Sequence, residues 1–272
     1  MIPRLAATAM LACLTLVLAE PAAMAVAPEK EIAPDHSEWS RILSKYRHED
    51  GTGPAAFDYA GLKNHAQDLA ALDAYIETLA STDIFAIANR DDQFAAWANL
   101  YNAITVRLVT EHYPVKSIRE IKSSWFSIGP WKGEIVTVGD RQLSLDDIEH
   151  DILRRDWRES RVHYALNCAS VGCPDLRAAA WRGNTLDRDL TEAATRYVNS
   201  ARGVTVLPDG RLQLSKIYSW FQEDFGGDEA GVRAHLSLYA SPGLKSEISA
   251  APGVSGYVYD WSLNDGSAGA AK

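Results

Sequence analysis

The sequence feature that most constrains the fold is a long helical pattern between Gln93 and His112. Apolar side chains recur there at steps of three and four residues, which is the spacing of an α-helix. They occupy nearly every face, so we expect a central helix that is buried all round and opens at Asp91 or Asp92.

Two amides interrupt the apolar surface of this helix, Asn99 and Asn102. A buried amide without partners costs about 1–3 kcal/mol, so each must find hydrogen bonds. The simpler interpretation is that both bond to backbone groups of neighbouring loops. The functional alternative is that one of them orients a catalytic group.

Amphipathic helices and short hairpins flank the central pattern on both sides. Helices are predicted after Asp35 and Asp58, after a capping box at Ser144–Asp147, and over Leu186–Val198 and Gly231–Tyr239. Hairpins are predicted at 134–143 and 204–214, with a last strand at 255–261. We therefore expect an α+β fold: one domain with a buried central helix and a small, mainly antiparallel sheet built from hairpins.

The first 25 residues have the pattern of a secretory signal. Arg4 precedes an apolar run, and Ala23-Met24-Ala25 supplies a small-x-small cleavage pattern. We predict cleavage after Ala25; a lipoprotein site at Cys13 is less favoured because that cysteine lies inside the apolar run. The prediction is a periplasmic or secreted protein with a tether at 26–34, a globular domain at 35–265 and a disordered tail at 266–272.

Net charge and hydropathy limit the kinds of partner that we expect this protein to bind. The net charge is −9, with 27 basic against 36 acidic residues, so nothing favours nucleic acid or anionic lipid. No stretch after the signal approaches the ~20 apolar residues of a membrane helix. Neither Gly226-Gly227 nor Gly51-x-Gly53 has the spacing of a phosphate-binding loop, and no cofactor is predicted. The expected partner is a small molecule or a protein, and the oligomeric state is left open.

Most of the reactive side chains lie between Arg161 and Pro174. Apolar residues alternate there with His163, Ala165 and Asn167, which predicts a strand that ends before Pro174. On a regular strand His163 and Cys168 would lie roughly 16 Å apart on opposite faces, so their proximity in sequence does not indicate a catalytic pair. His150, on the preceding helix, is the better candidate partner. The acidic start of that helix, Asp146 to Asp151, is typical of a solvated face.

Removal of the signal leaves two cysteines, Cys168 and Cys173, in an oxidising compartment. A disulfide can close between them if the loop turns, and Gly172 eases that turn. A structural clip or buried thiols, a redox pair and a catalytic nucleophile remain alternatives. A zinc site that also used His150 and His163 would match no standard spacing, so no metal site is predicted.

Three segments resemble the motifs of one family. Phe94–Ala103 is similar to its FWxNxYNA helix, Leu143–Arg154 to its LSLxDIEHxILR segment, and Arg161–Pro174 to its RIHFALNCASxSCP segment. Together they resemble the DUF547 family, a domain of unknown function, with a core at about 91–200. Lys216–Phe225 and Tyr259–Asp265 are similar to its downstream blocks. Gly172 stands where the family often has serine, which argues against an essential hydroxyl there.

The resemblance implies a shared set of residues that we expect to line one pocket: Trp97, Asn99, Asn102, His150, His163, Asn167, Cys168, Cys173 and Pro174. The favoured hypothesis is a non-catalytic ligand- or partner-binding domain of the cell envelope, because no complete catalytic signature is present. Its binding residues would be Trp97, Asn99, Asn102, Asn167 and Trp131, the last in an aromatic loop at Trp125–Trp131.

The alternative is a thiol-dependent enzyme, hydrolase- or transferase-like, or a thiol–disulfide redox protein. In the enzyme, Cys168 or Cys173 would be the nucleophile and His150 or His163 the base.

Overall fold

The helix from Arg90 to His112 is the centre of the computed structural model of this chain, which describes residues 33–49, 51, 53–122 and 127–266. Every residue from Gln93 to Val106 is buried, which confirms the predicted central helix. The helix begins at Arg90 because the Asn89 side chain accepts hydrogen bonds from the N–H groups of Asp91 and Asp92. The two aspartates therefore occupy the first turn, where their charge complements the helix dipole.

Other helices surround this one. The α-helices are α1 (Ser37–Tyr46), α2 (Tyr59–Lys63), α3 (Ala66–Ser81), the central α4 (Arg90–His112), α5 (Arg155–Trp157), α6 (Val162–Ala165), α7 (Leu186–Val198), α8 (Ile217–Trp220), α9 (Glu229–Tyr239) and α10 (Pro242–Ala250). A π-helix, Asp147–Arg154, runs directly into α5. Short 3₁₀ turns lie at Ile84–Ala86, Ile118–Glu120, Gly183–Thr185 and Gln222–Phe225.

Asp58 caps a helix as predicted, but that helix is shorter than its apolar pattern suggests. The Asp58 carboxylate accepts the N–H of Gly61 at 2.7 Å, and α2 ends at Lys63. A new helix, α3, then begins with the His65 ring accepting the N–H of Asp68 at 3.2 Å. The apolar spacing continues across the break, so spacing alone could not reveal it.

The described strands form three small sheets. They are β1 (Arg47–His48) with β2 (Ala56–Phe57), β3 (Val136–Val138) with β4 (Arg141–Leu143), and β5 (Val204–Val206) with β6 (Leu212–Ser215) and β7 (Val254–Val258). All pairs are antiparallel except β6–β7, which is parallel. The α+β class and the mainly antiparallel pairing are confirmed; the hairpins build separate sheets instead of one.

Two apolar clusters fill the interior. The larger one surrounds α4 and includes side chains of α1, α3 and the π-helix. The second packs α7 and α9 against β5 and β6. Helix α6 contributes to both, because Val162 and Ala165 lie in the first cluster and Tyr164 in the second.

The position of α6 between two clusters explains why the predicted strand at 162–167 is wrong. The N–H of Val162 donates to Glu159 C=O and that of Tyr164 to Arg161 C=O, both at 3.0 Å, so the chain turns instead of extending. All four residues of α6 are buried. A short helix buried on every side has no polar face, and an accidental alternation of residue types then imitates a strand.

The described residues from Ala33 onward belong to one compact unit. The predicted signal peptide, residues 26–32 of the tether and the tail after Gly266 lie outside the described residues. Within the described part of the chain, no helix combines the length and apolar character needed to cross a bilayer.

Candidate functional site

A cavity of about 190 Å³ lies beside the loop that carries the two cysteines. We refer to it as the pocket. It receives side chains from α4, the π-helix, α6, α8 and the segment that follows β7. The lining residues are Tyr101, Trp131, Asp146, Glu149, His150, His163, Leu166, Cys168, Cys173, Pro174, Ile217, Trp220, Phe221, Tyr259 and Trp261.

Two buried amides hold the cysteine loop in place. The Asn102 side chain donates to Ala165 C=O and accepts from Asn167 N–H, both at 2.8 Å. The Asn167 side chain in turn donates to Pro174 C=O at 2.7 Å and joins the two ends of the loop. Asn102 therefore bonds to backbone, as the simpler interpretation predicts, and fixes where the loop begins.

The loop lies against the segment after β7. The N–H groups of Val171 and Gly172 donate to Ser262 and Asp260 C=O at 2.8 Å. A Cβ at Gly172 would meet Asp260 backbone atoms at 2.9 Å, which explains why this chain has glycine there instead of serine. Ala169 adopts a positive φ of 59°, so the loop turns sharply just after Cys168.

Cys168 and Cys173 are paired as a disulfide with their Cα atoms 6.3 Å apart. Cys168 is half-buried and Cys173 is buried, and both line the pocket. The Tyr259 hydroxyl lies 3.1 Å from Cys168 Sγ and 3.0 Å from Cys173 Sγ. The Ser170 hydroxyl lies 3.2 Å from Cys168 Sγ and 2.9 Å from the Tyr259 oxygen. Within the described part of the chain, neither sulfur forms a hydrogen bond with a histidine.

His163 is buried beside the pocket, where its ring stacks on Phe221 with 4.1 Å between centroids. Its Nε2 lies 2.6 Å from Asp224 Oδ2, and Arg154 Nε donates to the same oxygen at 2.6 Å. Burial lowers the pKa of His163, and Asp224 offsets part of that effect. We therefore assign a neutral ring that donates from Nε2 and leaves Nδ1 4.0 Å from Glu149.

Arg154 also orients the second histidine. Its Nη1 lies 3.2 Å from His150 Nδ1, so the guanidinium donates to that nitrogen. The other ring nitrogen, Nε2, lies 3.8 Å from Asp146. Although burial raises the pKa of Asp224, the hydrogen bonds from His163 and Arg154 outweigh it and keep that pKa below its usual range.

Two carboxylates, Asp146 and Glu149, complete the polar side of the pocket. The Tyr101 hydroxyl donates to Glu149 at 3.2 Å. Among the residues that the structure describes, neither carboxylate forms an ion pair with lysine or arginine. The prediction of a solvated face is wrong for these two residues. The π-helix places Ile148 and Ile152 in the core and Glu149 at the cavity, and Asp146, the residue before its first turn, lines the cavity too.

Four aromatic residues also line the pocket and contact one another. Trp220 and Tyr259 lie 4.8 Å apart between ring centroids, and Tyr259 and Trp261 lie 4.6 Å apart. Trp131 contacts the Trp261 ring edge-on at 5.6 Å. We call these four residues the aromatic wall. Trp220 is 45% exposed, so it forms the rim.

The structure brings together most of the predicted site residues but not all of them. Cys168, Cys173, His150, His163, Trp131 and Pro174 line the pocket. Trp97 does not, because it is fully buried against Phe85. The Asn99 side chain exchanges two 2.9 Å hydrogen bonds with the Trp181 backbone and has a structural role. Trp125 and Phe126 lie outside the described residues.

Several residues of the site were not identified as functional from the sequence: Tyr101, Asp146, Glu149, Trp220, Phe221, Asp224, Tyr259 and Trp261. One signal is present for all eight, because Tyr101, Asp146 and Glu149 lie in the family-like segments Phe94–Ala103 and Leu143–Arg154, and the other five lie in Lys216–Phe225 and Tyr259–Asp265. No reasoning from spacing alone connects those blocks to the cysteines. In the described part of the chain, no group of three or more His, Cys, Asp or Glu side chains could hold a metal ion.

Comparison with known proteins gives one match. The family model described as "Protein of unknown function, DUF547" matches residues 85–198, which confirms the resemblance stated above. That segment contains α4, the π-helix and the cysteine loop. No curated protein and no solved structure matches the chain.

Proposed function

We propose that the pocket, which is built partly from the segment that matches the DUF547 model, binds a small organic cation. The observation that carries the proposal is the pair of carboxylates, Asp146 and Glu149, which have no lysine or arginine partner among the described residues. A carboxylate that is partly withdrawn from water, as both of these are, favours an opposite charge beside it. The neutral ring of His163 does not supply that charge.

The aromatic wall supports the same ligand class. A cation is attracted to the face of tryptophan or tyrosine within about 6 Å of the ring centre, and quaternary ammonium groups are recognised in this way. Trp220, Tyr259 and Trp261 offer three such rings in the same pocket as the carboxylates. A cavity of about 190 Å³ is smaller than the roughly 300 Å³ at which drug-sized pockets begin, so the bound part is a small headgroup.

Binding is favoured over thiol-dependent catalysis by the surroundings of the sulfurs. A nucleophilic cysteine needs a thiolate and a nearby base. Both sulfurs are paired, and their hydrogen-bond partners are Tyr259, Ser170 and the Cys168 N–H. The histidines that line the pocket bond to Asp224 and Arg154 instead.

We propose that this binding takes place outside the cytoplasm. The secretory pattern of residues 1–25 and the cysteine pair both support export. Sequencing the amino terminus of the protein recovered from the cell envelope tests this proposal. A mature chain that begins at Val26 is expected, and an uncleaved chain in the cytoplasm would refute it.

The ligand class is tested with choline and its uncharged isostere 3,3-dimethyl-1-butanol. Tryptophan fluorescence reports on Trp131, Trp220 and Trp261 in the pocket. We expect saturable choline binding that weakens with added salt, and binding of the isostere that is weaker by about tenfold or more. Equal binding of the two compounds, or no binding of either, would refute the proposal.

A variant pair locates the effect. Glu149→Gln keeps the hydrogen-bond acceptor for Tyr101 but removes the charge, and we expect choline affinity to fall about tenfold. Glu77→Gln is the matched control, because Glu77 is exposed on α3 and does not line the pocket. Choline affinity in that variant should equal the affinity of the unmodified protein.

A further inference from the structure

The sulfur atoms of Cys168 and Cys173 lie within a set of hydrogen-bond donors. The N–H of Cys168 donates to Cys173 Sγ at 3.0 Å, and the Tyr259 hydroxyl lies 3.0 Å from the same atom. The Ser170 hydroxyl can donate to the Tyr259 oxygen, 2.9 Å away, and leave the Tyr259 proton for the sulfur. A disulfide sulfur is a weak acceptor, whereas a thiolate is charged and accepts much stronger hydrogen bonds. This donor set therefore matches a thiolate at Cys173 better than it matches the disulfide.

The loop does not depend on the disulfide for its position. Its ends are joined by Asn167 and Pro174, and its middle donates two backbone hydrogen bonds to Asp260 and Ser262. Tyr197 adds a hydrogen bond to Gly172 C=O at 2.7 Å. A link across four intervening residues also constrains an unfolded chain less than a link that closes a long loop. Two thiols in this loop would remain close enough to pair again.

The two sulfurs differ in access. Cys168 is half-buried at the pocket, whereas Cys173 is 4% exposed. An incoming thiolate therefore reaches Cys168 more readily, and Cys173 becomes the leaving group. Its leaving thiolate forms at the position that Tyr259 and the Cys168 N–H already face. The more strongly stabilised thiolate is the better leaving group.

From these three observations we propose that Cys168–Cys173 is a redox-active disulfide that exchanges with low-molecular-weight thiols in the pocket. A thiolate RS⁻ attacks Cys168 Sγ, the S–S bond breaks, and its electron pair goes to Cys173. A second RS⁻ attacks the R-bound sulfur of the mixed disulfide and releases the Cys168 thiolate. The protein gains two electrons and RSSR is formed; the reverse sequence oxidises two thiols.

The partner is limited to a small thiol by the size of the cavity. The charge of this thiol rests on the proposed function, because the carboxylates and the aromatic wall would favour a cationic aminothiol. Exchange itself needs only the sulfurs and their donors. The exchange proposal can therefore fail or hold independently of the cation proposal.

The first experiment measures the equilibrium between the folded protein and dithiothreitol, with Cys13→Ser in the full chain so that only two cysteines titrate. Tyr259→Phe removes the hydroxyl and keeps the ring. We expect its equilibrium to shift toward the disulfide by about tenfold or more, the usual value of a hydrogen bond to a charged group. Tyr257→Phe is the matched control, because Tyr257 lies two residues earlier, near the end of β7, is also half-buried and forms no hydrogen bond with the sulfurs.

The second measurement is the alkylation rate of the reduced, folded protein as a function of pH. One thiol should react with a pKa below the ordinary value of about 8.5, and Tyr259→Phe should raise that pKa. The proposal is overturned if the disulfide is reduced only when the protein unfolds. It is also overturned if Tyr259→Phe and Tyr257→Phe share one equilibrium constant.

Three thiols of similar size separate the two proposals: cationic 2-aminoethanethiol, neutral 2-mercaptoethanol and anionic mercaptoacetate. Each exchange rate is divided by the rate of the same thiol with oxidised glutathione, which corrects for thiolate content. A preference for the cation supports both proposals. Equal normalised rates support exchange and refute cation binding. No exchange with any thiol, alongside choline binding, refutes exchange alone.

Discussion

The imidazole of His163 and the carboxylate of Asp224 form a buried pair, with Nε2 2.6 Å from Oδ2. The same oxygen accepts from Arg154, which also donates to His150. Asp224 therefore fixes both the tautomer of His163 and the position of the guanidinium that contacts His150. One carboxylate outside the family-matching segment sets the geometry of both histidines in the pocket.

Asp224→Asn should lower the pKa of His163 further, because the carboxylate partly offsets the effect of burial. It should also destabilise the fold by about 1–3 kcal/mol, since Arg154 loses its anion. Imidazole NMR titration and urea unfolding measure the two effects. Glu223→Gln, at an exposed neighbour, is the control and should change neither quantity. An unchanged His163 pKa in Asp224→Asn would contradict the assignment.

Stability should fall as the pH decreases from about 6.5 to about 4. Burial lowers the pKa of His36 and of His235 to about 4, from an ordinary 6.5. Between these values the unfolded chain binds protons that the folded chain does not, so acid favours unfolding, by up to about 3 kcal/mol per histidine. The pKa of Asp68 is lowered from 3.8, so the stabilising effect of its carboxylate is lost only below this pH range.

Urea unfolding at several pH values between 7.5 and 4.5 measures this dependence. His235→Gln should retain the Tyr164 contact in part and lose its share of the pH dependence. The slope of unfolding free energy against pH should therefore decrease, whatever the variant does to stability at neutral pH. A slope equal to that of the unmodified protein would show that His235 does not titrate in this window.

Asn102→Ala should destabilise the protein by about 2–4 kcal/mol. It leaves Ala165 C=O and Asn167 N–H buried without their partner, and each unpaired group costs about 1–3 kcal/mol. Chemical unfolding measures the change. Asn64→Ala replaces an exposed amide and should stay within about 0.5 kcal/mol of the unmodified protein. A small loss in Asn102→Ala would mean that water replaces the amide.

Trp220→Ala should weaken choline binding by about five- to tenfold, the value of one cation–π contact at a partly desolvated site. Its stability should also fall, by about 1–3 kcal/mol, because the ring packs on Tyr259 and Trp261, so affinity is compared where the variant is fully folded. Leu238→Ala is the matched control, since Leu238 is 73% exposed on α9 and lies away from the pocket. Unchanged choline affinity in Trp220→Ala would show that Trp220 does not contribute to the binding site.

A structural feature could be predicted from the sequence when the residues that determine it lie close together along the chain. The central helix, the hairpins and the Ser144–Asp147 capping box depend on neighbouring residues, and their patterns identified them. The sequence wrongly predicts a strand at α6, because burial by two separate clusters removes the helical pattern of polar and apolar residues.

The pocket itself depends on contacts between distant residues. Cys168 and Tyr259 are separated by 91 positions, and His163 and Asp224 by 61. Local spacing contains no information about either contact. The cysteines and histidines could therefore be named as candidates, while the carboxylates and most of the aromatic wall that surround them could not.

A ribosome that has completed residue 198 has already made every residue of the family-matching segment. At that moment the cysteine loop still lacks Asp260 and Ser262, to which its backbone later bonds. The two sulfurs also lack the cover of Tyr259. A protein shortened to that segment would retain both cysteines and both histidines, yet it would have no enclosed space in which they meet.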